Sequence, residues 1–128
     1  MFSHIVVGSN DLEEARRFYD AVFGAAYGIK GETDPKGRLV YAHDGARLMV
    51  TKPIDGRAAT FANGGTIGLV MQTPDQVDAW HKAGIEAGGT TAEDPPGIRT
   101  FGKRELYLAY LRDPTGNKLC ARAVVSAG

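Results

Sequence analysis

The same succession of predicted elements occurs twice along the chain, and this duplication limits the folds that are open to it. Residues 3–9, "SHIVVGS", form a short run rich in β-branched side chains, and apolar side chains then recur at helical spacing over residues 12–23. Residues 65–71, "GTIGLVM", begin a second copy in the same way. Each predicted helix is followed by three short extended segments. The sequence therefore predicts a β-α-β-β-β unit repeated in tandem.

End signals bracket both predicted helices. Before the first helix, Asn10 and Glu13 have the spacing of a capping pair, and Gly24 is the expected C-terminal cap. Before the second helix, Thr73 and Gln76 have the spacing of a capping box, with a proline between them at the first helical position. An Ala-Gly-Gly run is expected to end that helix.

Turns rich in aspartate and glycine join the last two extended segments of each half. These turns are "HDGA" at 43–46 and "RDPTGN" at 112–117. The two modules are predicted at about residues 1–52 and 65–124 of a single domain, with a polar linker at 53–64. The predicted extended segments are 26–33, 38–43 and 46–51 in the first module, and 89–93, 105–112 and 117–123 in the second.

The composition narrows the classes of partner. The 15 basic and 15 acidic residues cancel, and no basic run suggests a nucleic acid or an anionic membrane surface as a partner. No apolar stretch approaches the ~20 residues that a membrane span needs. The single cysteine, Cys120, cannot form an internal disulfide, so a cytoplasmic location is expected.

Two motifs resemble those of the vicinal oxygen chelate superfamily, which includes glyoxalase I, bleomycin-resistance proteins, fosfomycin-resistance enzymes and extradiol dioxygenases. They are "FYDAVFG" at 18–24 and "DPTGNKL" at 113–119. The resemblance spans nearly the whole chain. It implies an α+β fold in which two tandem βαβββ modules form a cupped mixed sheet with a ligand pocket in the cup. It also implies a homodimer.

In metal-using members of that superfamily, the first and last strands of each module supply the ligands. Alignment of the two modules gives His4, Met49, Thr66 and Cys120 at these positions. Only His4 is a good ligand for a hard divalent ion, because the others offer a thioether, a neutral hydroxyl and a thiol that is mainly protonated. The thioether and the thiol are soft donors that suit copper(I). No other feature of the sequence is typical of a copper-handling protein. No metal or other cofactor is expected, and a divalent metal has no support beyond His4.

The resemblance also implies a pocket wall. Val6, Met49, Leu108 and Tyr110 would form its apolar part, while His4, Thr66 and Cys120 would add polar groups. A catalytic role is open for three of these residues, His4, Tyr110 and Cys120, in chemistry that needs no metal. A mobile loop at 93–105, with Arg99, Lys103 and Arg104, is expected over one mouth of the pocket.

The main hypothesis is a protein that binds a small, largely apolar organic molecule in the cup, without a full divalent metal site. The alternative is a glyoxalase-like lyase, or another metal-dependent enzyme of the superfamily, with an atypical site around His4. A structural dimerising domain is also left open. Whether the protein is an enzyme is undecided, because both glutamates expected in glyoxalase I are replaced here. His43 and His81 are interpreted as structural residues.

Overall fold

Two four-stranded sheets, one from each half of the chain, pack against two helices. The structure is a computed structural model and describes residues 1–127. In this part of the chain no helix is both long and apolar enough to cross a bilayer. The first module contains β1 (His4–Gly8), α1 (Leu12–Tyr27), β2 (Glu32–Thr33), β3 (Leu39–His43) and β4 (Ala46–Thr51). The second contains β5 (Ile67–Val70), α2 (Pro74–Glu86), β6 (Thr90–Phe101), β7 (Arg104–Arg112) and β8 (Lys118–Ser126).

The two sheets have the same topology. The strand order is β1-β4-β3-β2 in the first sheet and β5-β8-β7-β6 in the second. In each, the first strand runs parallel to the last, while the other neighbours are antiparallel. These findings confirm the predicted α+β fold of two βαβββ modules. β1 and β5 are edge strands, each with one side unpaired.

The first helix is shifted relative to its predicted ends. Asp11, and not Asn10, is its N-cap, and the Asp11 carboxylate accepts from the backbone N–H groups of Glu13 and Glu14. The Asn10 side chain instead bonds the backbone of the linker at Ala59. The helix continues past Gly24 to Tyr27, because Gly28 adopts the left-handed conformation (φ 69°) that ends it. Residues 26 and 27 are therefore helical and not extended.

The second helix begins as predicted, with the Thr73–Gln76 capping box and a proline in its first turn. It packs against α1 at Gly84, where a side chain would have no room. A Cβ there would lie 2.4 Å from Leu111 Cδ1 and 3.1 Å from Val22 Cγ1. The glycine thus permits the close approach of α2 to both α1 and β7.

One hydrophobic core joins both modules. It contains the buried face of α1, the buried face of α2 and the helix-facing side chains of both sheets. Its largest fully buried side chains are Trp80, Tyr19, Phe18, Leu111, Leu119, Val22, Val50 and Val77. The packing of the helices against each other therefore holds the two sheets in one unit.

The segment at 93–105 is a hairpin and not the expected mobile loop. Most of it belongs to β6 and β7, which pair from Gly97–Leu108 to Phe101–Arg104. The Arg99 guanidinium donates to the backbone carbonyls of Asp94 and Pro95. These bonds support an irregular stretch between Ala92 and Gly97, where the register shifts. The sequence of this segment resembles that of a loop because "DPPG" lies where the register shifts. A β-bulge there interrupts the alternation of side chains that is typical of a strand.

A buried carboxylate ties the second module to the first. Asp113 accepts from the Tyr19 hydroxyl of α1 at 2.6 Å. It also accepts from the Asn117 side chain at 2.8 Å, and Asn117 in turn donates to the Gly8 carbonyl of β1 at 3.1 Å. Burial, followed by the Asp113 charge, raises the pKa of Tyr19 well above its usual value, so its hydroxyl stays a donor. The "DPTGN" turn thus fixes the position of α1 and β1.

Removal of the Tyr19 hydroxyl should destabilise the fold because a buried carboxylate then loses one of its donors. We expect Tyr19→Phe to lower the free energy of unfolding by about 1–3 kcal/mol, as measured by urea titration. Tyr107→Phe is the matched control, because Tyr107 donates to Asp78 in an exposed pair at 2.7 Å. The control should lose less than about 1 kcal/mol. Equal losses in the two variants would contradict a special role for the Asp113 network.

Candidate functional site

Each sheet has a face turned away from the helices, here called the helix-free face. In the first sheet, Val7, Leu48 and Val50 pack on the helical core. Because strand side chains alternate, His4, Val6 and Met49 lie on the opposite, helix-free face. His4 is exposed, and its Nδ1 lies 2.7 Å from the Ser3 hydroxyl oxygen.

The second sheet carries a separate apolar cluster on its helix-free face. Leu106, Leu108 and Cys120 are buried there, with Tyr110 packed against them. Tyr110 and Cys120 are directly opposite one another on β7 and β8. Three of the predicted pocket residues, Leu108, Tyr110 and Cys120, are therefore brought together. This cluster is distinct from the main core, which lies on the other side of the same sheet.

The thiol of Cys120 is held in its neutral form. Burial raises its pKa, and a hydrogen bond with the neighbouring Tyr110 hydroxyl opposes that effect in part. The pKa of Tyr110 is raised as well, by burial first and then by Cys120. The Cys120 Sγ lies 3.7 Å from the carbonyl oxygen of Ala121. No described contact joins the thiol to a histidine among residues 1–127, so this geometry offers no base to activate it.

Charged groups surround the cluster. The Lys118 ammonium lies 5.1 Å from the centroid of the Tyr110 ring and forms an ion pair with Glu93. Glu93 has a positive φ of 55°, which is strained for a non-glycine residue. Arg99 and Arg122 influence the pKa values of Tyr110 and Cys120 respectively. The cluster is thus an apolar patch with a mixed, mainly cationic margin.

The seven predicted pocket residues do not form one contact group in the described chain. His4, Val6 and Met49 belong to the first sheet, whereas Leu108, Tyr110 and Cys120 belong to the second. Thr66 is exposed and immediately precedes β5. Within residues 1–127, no hydrogen bond or ion pair connects the two sets, and no group of three His, Cys, Asp or Glu side chains is gathered as a metal site.

A cavity of about 650 Å³ lies between the modules, on the helix side of both sheets. Its walls come from the unpaired edges of the sheets and from the C-terminal part of α1. The predicted pocket residues are absent from its lining. The aliphatic wall consists of Ile5, Leu48, Ile67 and Leu69, and the aromatic wall consists of Phe23, Tyr27 and Tyr41.

Polar groups stand at the rim of this cavity. Tyr27 stacks on His43 with centroids 4.0 Å apart, and its hydroxyl donates to the Val70 carbonyl at 2.6 Å. Burial, and then the Asp44 charge, raises the pKa of Tyr27 to about 12. Arg47 also borders the cavity, although the β1–β4 register directs its side chain to the helix-free face. Sequence reasoning missed Tyr27 because the helix was expected to end before it, and the C-terminal αL glycine at position 28 was the available signal.

His81, which is interpreted from the sequence as a structural residue, makes a contact with β6. His81 Nε2 lies 3.0 Å from the Thr91 hydroxyl, and burial lowers the pKa of His81. Its position on α2 is away from the Cys120 cluster on the helix-free face, in accord with the structural interpretation.

Alkylation should report the protection of the Cys120 thiol. We expect the iodoacetamide rate to rise with pH through a midpoint above the ~8.5 of a free cysteine, because the folded thiol has a raised pKa. Tyr110→Phe should move the midpoint higher still, since it removes the hydrogen bond that favours the thiolate. The same protein unfolded in urea is the reference. Reaction at neutral pH as fast as in the unfolded chain would contradict the prediction.

Comparison with known proteins agrees with the fold. A family model, described as the Glyoxalase/Bleomycin resistance protein/Dioxygenase superfamily, matches residues 1–121. A glyoxalase/bleomycin resistance protein from Albidiferax ferrireducens T118 has 50% sequence identity and a TM-score of 0.90, over 96% of this chain and 98% of that chain. A search of curated proteins found no match.

More distant structures share the fold alone. A putative glyoxalase from Bacillus halodurans is 19% identical with a TM-score of 0.73, over 96% of this chain and 95% of that chain. A glyoxalase-related enzyme from Fulvimarina pelagi is 17% identical with a TM-score of 0.70, over 96% and 87%. The family model covers nearly the whole sequence, and its duplicated fold is the one described above. The chain belongs to the Glyoxalase/Bleomycin resistance protein/Dioxygenase superfamily.

Proposed function

We propose that the protein binds a small, largely apolar organic molecule with a polar or anionic end on its helix-free face, without a divalent metal ion. The observation that carries the proposal is the cluster of Leu106, Leu108 and Cys120. These side chains are buried on a face that no helix covers. An apolar surface with a few converging polar groups is the usual composition of a ligand site.

The polar and charged groups at the margin of the cluster are suited to bind the polar end of the ligand. Tyr110 offers a hydroxyl, and its raised pKa keeps that hydroxyl protonated at neutral pH. Arg122 pairs with Leu108 in the strand register and so lies on the same face. Arg99 is likewise opposite Leu106 on β6. A carboxylate or phosphate at the end of an apolar ligand would find a cation within this margin.

The chemistry of the available donors argues against a hard divalent ion at the positions that family enzymes use. Thr66 supplies a neutral hydroxyl and Met49 a thioether, both poor ligands for Mg, Mn, Ni or Zn. The raised pKa of Cys120 disfavours the thiolate that a metal would require. His4 is then the one strong donor of the four. The residues present do not fit such an ion, so no step of a metal-assisted reaction is assigned to them.

A second chain is part of this proposal. Val6, Val70 and Val124 are exposed apolar side chains on sheet faces or edges, with 47%, 59% and 45% of their surfaces accessible. We propose that a homodimer covers part of these side chains, since exposed apolar area favours association. Light scattering at micromolar concentration should give twice the mass of 13.7 kDa. A monomeric mass would contradict the dimer without affecting ligand binding.

Ligand binding on the helix-free face should protect Cys120. In a screen of apolar carboxylates and their neutral amides, we expect the compounds that raise Tm to slow the alkylation of Cys120 as well. Leu108→Ala should abolish both effects, because it removes an apolar wall of the cluster. Ile98→Ala is the matched control, since Ile98 is opposite Tyr107, whose side chain belongs to the other face.

Two results would contradict the proposed function. The first is that the stabilising ligands leave the Cys120 alkylation rate unchanged and still raise the Tm of Leu108→Ala. The second is turnover of the methylglyoxal–glutathione hemithioacetal with Ni, Zn, Co or Mn that disappears in His4→Ala. That second result would instead establish a glyoxalase-like lyase with an atypical metal site around His4.

A further inference from the structure

We infer that the ligand of the helix-free face is a carboxylate held by Arg122, and that Gly68 leaves the space for its apolar body. The inference rests on the function proposed above. It names the class of ligand, the side chain that binds its charged end and the position that limits its size. Cys120 connects the two residues, because it is paired with Gly68 of β5 and lies two residues before Arg122 on β8.

The direction of the Arg122 side chain follows from its neighbours in the sheet. Ala121 and Ala123 are fully buried in the helical core, so alternation along β8 directs Arg122 to the helix-free face. Leu108, which is directly opposite Arg122 on β7, belongs to the apolar cluster of that face. Burial raises the pKa of the Cys120 thiol and the Arg122 charge opposes that effect, as expected for a guanidinium near the sulfur.

Other cations beside the cluster already have acceptors. The guanidinium groups of Arg99 and Arg112 donate to backbone carbonyls. The Lys118 ammonium forms an ion pair with Glu93. The side chain of Arg122, in contrast, is half-buried and has no hydrogen bond or ion pair in the part of the chain that the structure describes. A guanidinium with free donors beside an apolar surface is suited to bidentate binding of a carboxylate.

Gly68 leaves a gap in the surface beside Cys120. A Cβ at this position would have no heavy atom within 4 Å. Because Ile67 and Leu69 pack on the helical core, that Cβ would lie on the helix-free face. Residues two apart on a strand are separated by roughly 7 Å, so a carboxylate at Arg122 places a body of about that length over Cys120 and Gly68. One phenyl ring fills this length.

The apolar cluster supplies the remaining walls of the gap. Tyr110 is directly opposite Cys120 on β7, on the side away from Gly68, and Leu108 is packed in the same cluster. An aromatic ring over the thiol would therefore contact the Tyr110 ring, and such ring contacts add to the free energy of area burial. A carboxylate with a single aromatic ring, such as phenylacetate, satisfies both the walls and the cation.

Calorimetric titration with two probes of the same shape tests the charged end. We expect phenylacetate to bind the wild-type protein about tenfold or more tightly than the neutral phenylacetamide, because hydrogen bonds between charged groups are the stronger ones. Arg122→Gln should abolish this preference and leave the affinity for the amide unchanged. Arg17→Gln is the matched control, because Arg17 is exposed on α1, on the other side of the sheets.

Substitution of Gly68 tests the place of the apolar body. We expect Gly68→Val to fill the gap, weaken both probes and slow the reaction of iodoacetamide with Cys120 in the free protein. Gly68→Ala should have a smaller effect of the same kind, because it adds a single carbon. Both variants should keep the Tm of the wild type, since residue 68 does not have a positive φ and the space for its Cβ is open.

Four results would overturn the inference. They are equal affinities for acid and amide, a preference for the acid that survives Arg122→Gln, undiminished binding in Gly68→Val, and absence of binding at millimolar phenylacetate. Loss of the preference in Lys118→Gln alone would assign the charged end to Lys118 instead. A change of oligomer mass in Gly68→Val also contradicts the inference, because the gap would then belong to a subunit interface.

Failure of the inference is distinguishable from failure of the proposed function. The function still stands if other apolar compounds raise the Tm and slow the alkylation of Cys120 while phenylacetate or Arg122→Gln gives a contradicting result. If phenylacetate binds but leaves Cys120 as reactive as in the free protein, the ligand lies elsewhere and the inference is wrong.

Discussion

The buried carboxylate of Asp113 is the point through which the two modules are positioned. It accepts five hydrogen bonds, from the Tyr19 hydroxyl, the Asn117 side chain and the backbone N–H groups of residues 115–117. A buried charge is tolerated only when it is satisfied in this way. Because one donor comes from α1 and another leads to the Gly8 carbonyl of β1, the turn cannot form fully without the first module in place. The turn and the contact between modules thus form a single cooperative unit.

Once the helices are fixed, alternation along each strand decides which side chains face the helical core and which lie on the helix-free face. Residues such as Leu119 and Ala121 enter the core, and Cys120 between them is directed away from it. The same rule directs Leu48 and Val50 inward and Met49 outward on β4. The chemistry of the molecule is therefore divided between two environments, a helix side rich in aromatic rings and a helix-free face with the thiol and its charged margin.

Much of the fold could be predicted because its signals are local. The duplication, the Thr73–Gln76 capping box and the apolar periodicity each depend on neighbours in sequence. The end of α1 was misplaced because Gly24 and Gly28 are both plausible caps from local sequence. Only the packing of Ala26 and Tyr27 on the core decides between them. The hairpin at 93–105 was missed because bulges hide the alternation of a strand.

The site was harder to predict, because a cavity depends on the distance between elements and not on any one of them. Alternation along β7 predicts that Leu108 and Tyr110 share a face, and in the structure both lie in one cluster with Cys120. No sequence pattern indicates that β1 and β5 do not pair with each other. Nor does any pattern indicate that the Tyr27 hydroxyl reaches the Val70 carbonyl across the gap.

Gly68 explains how the cavity between the modules and the helix-free face can lie so near each other. It lines the cavity between the modules and is also paired in register with Cys120 of the helix-free face. Because glycine has no side chain, only the thickness of the backbone separates the two surfaces at this position. A Cβ added there would have no heavy atom within 4 Å, so the space beside it is open. Alternation directs that Cβ toward the Cys120 side, since Ile67 and Leu69 already occupy the cavity side. A side chain at position 68 would therefore enter the open space on the helix-free face and leave the aromatic cavity unchanged.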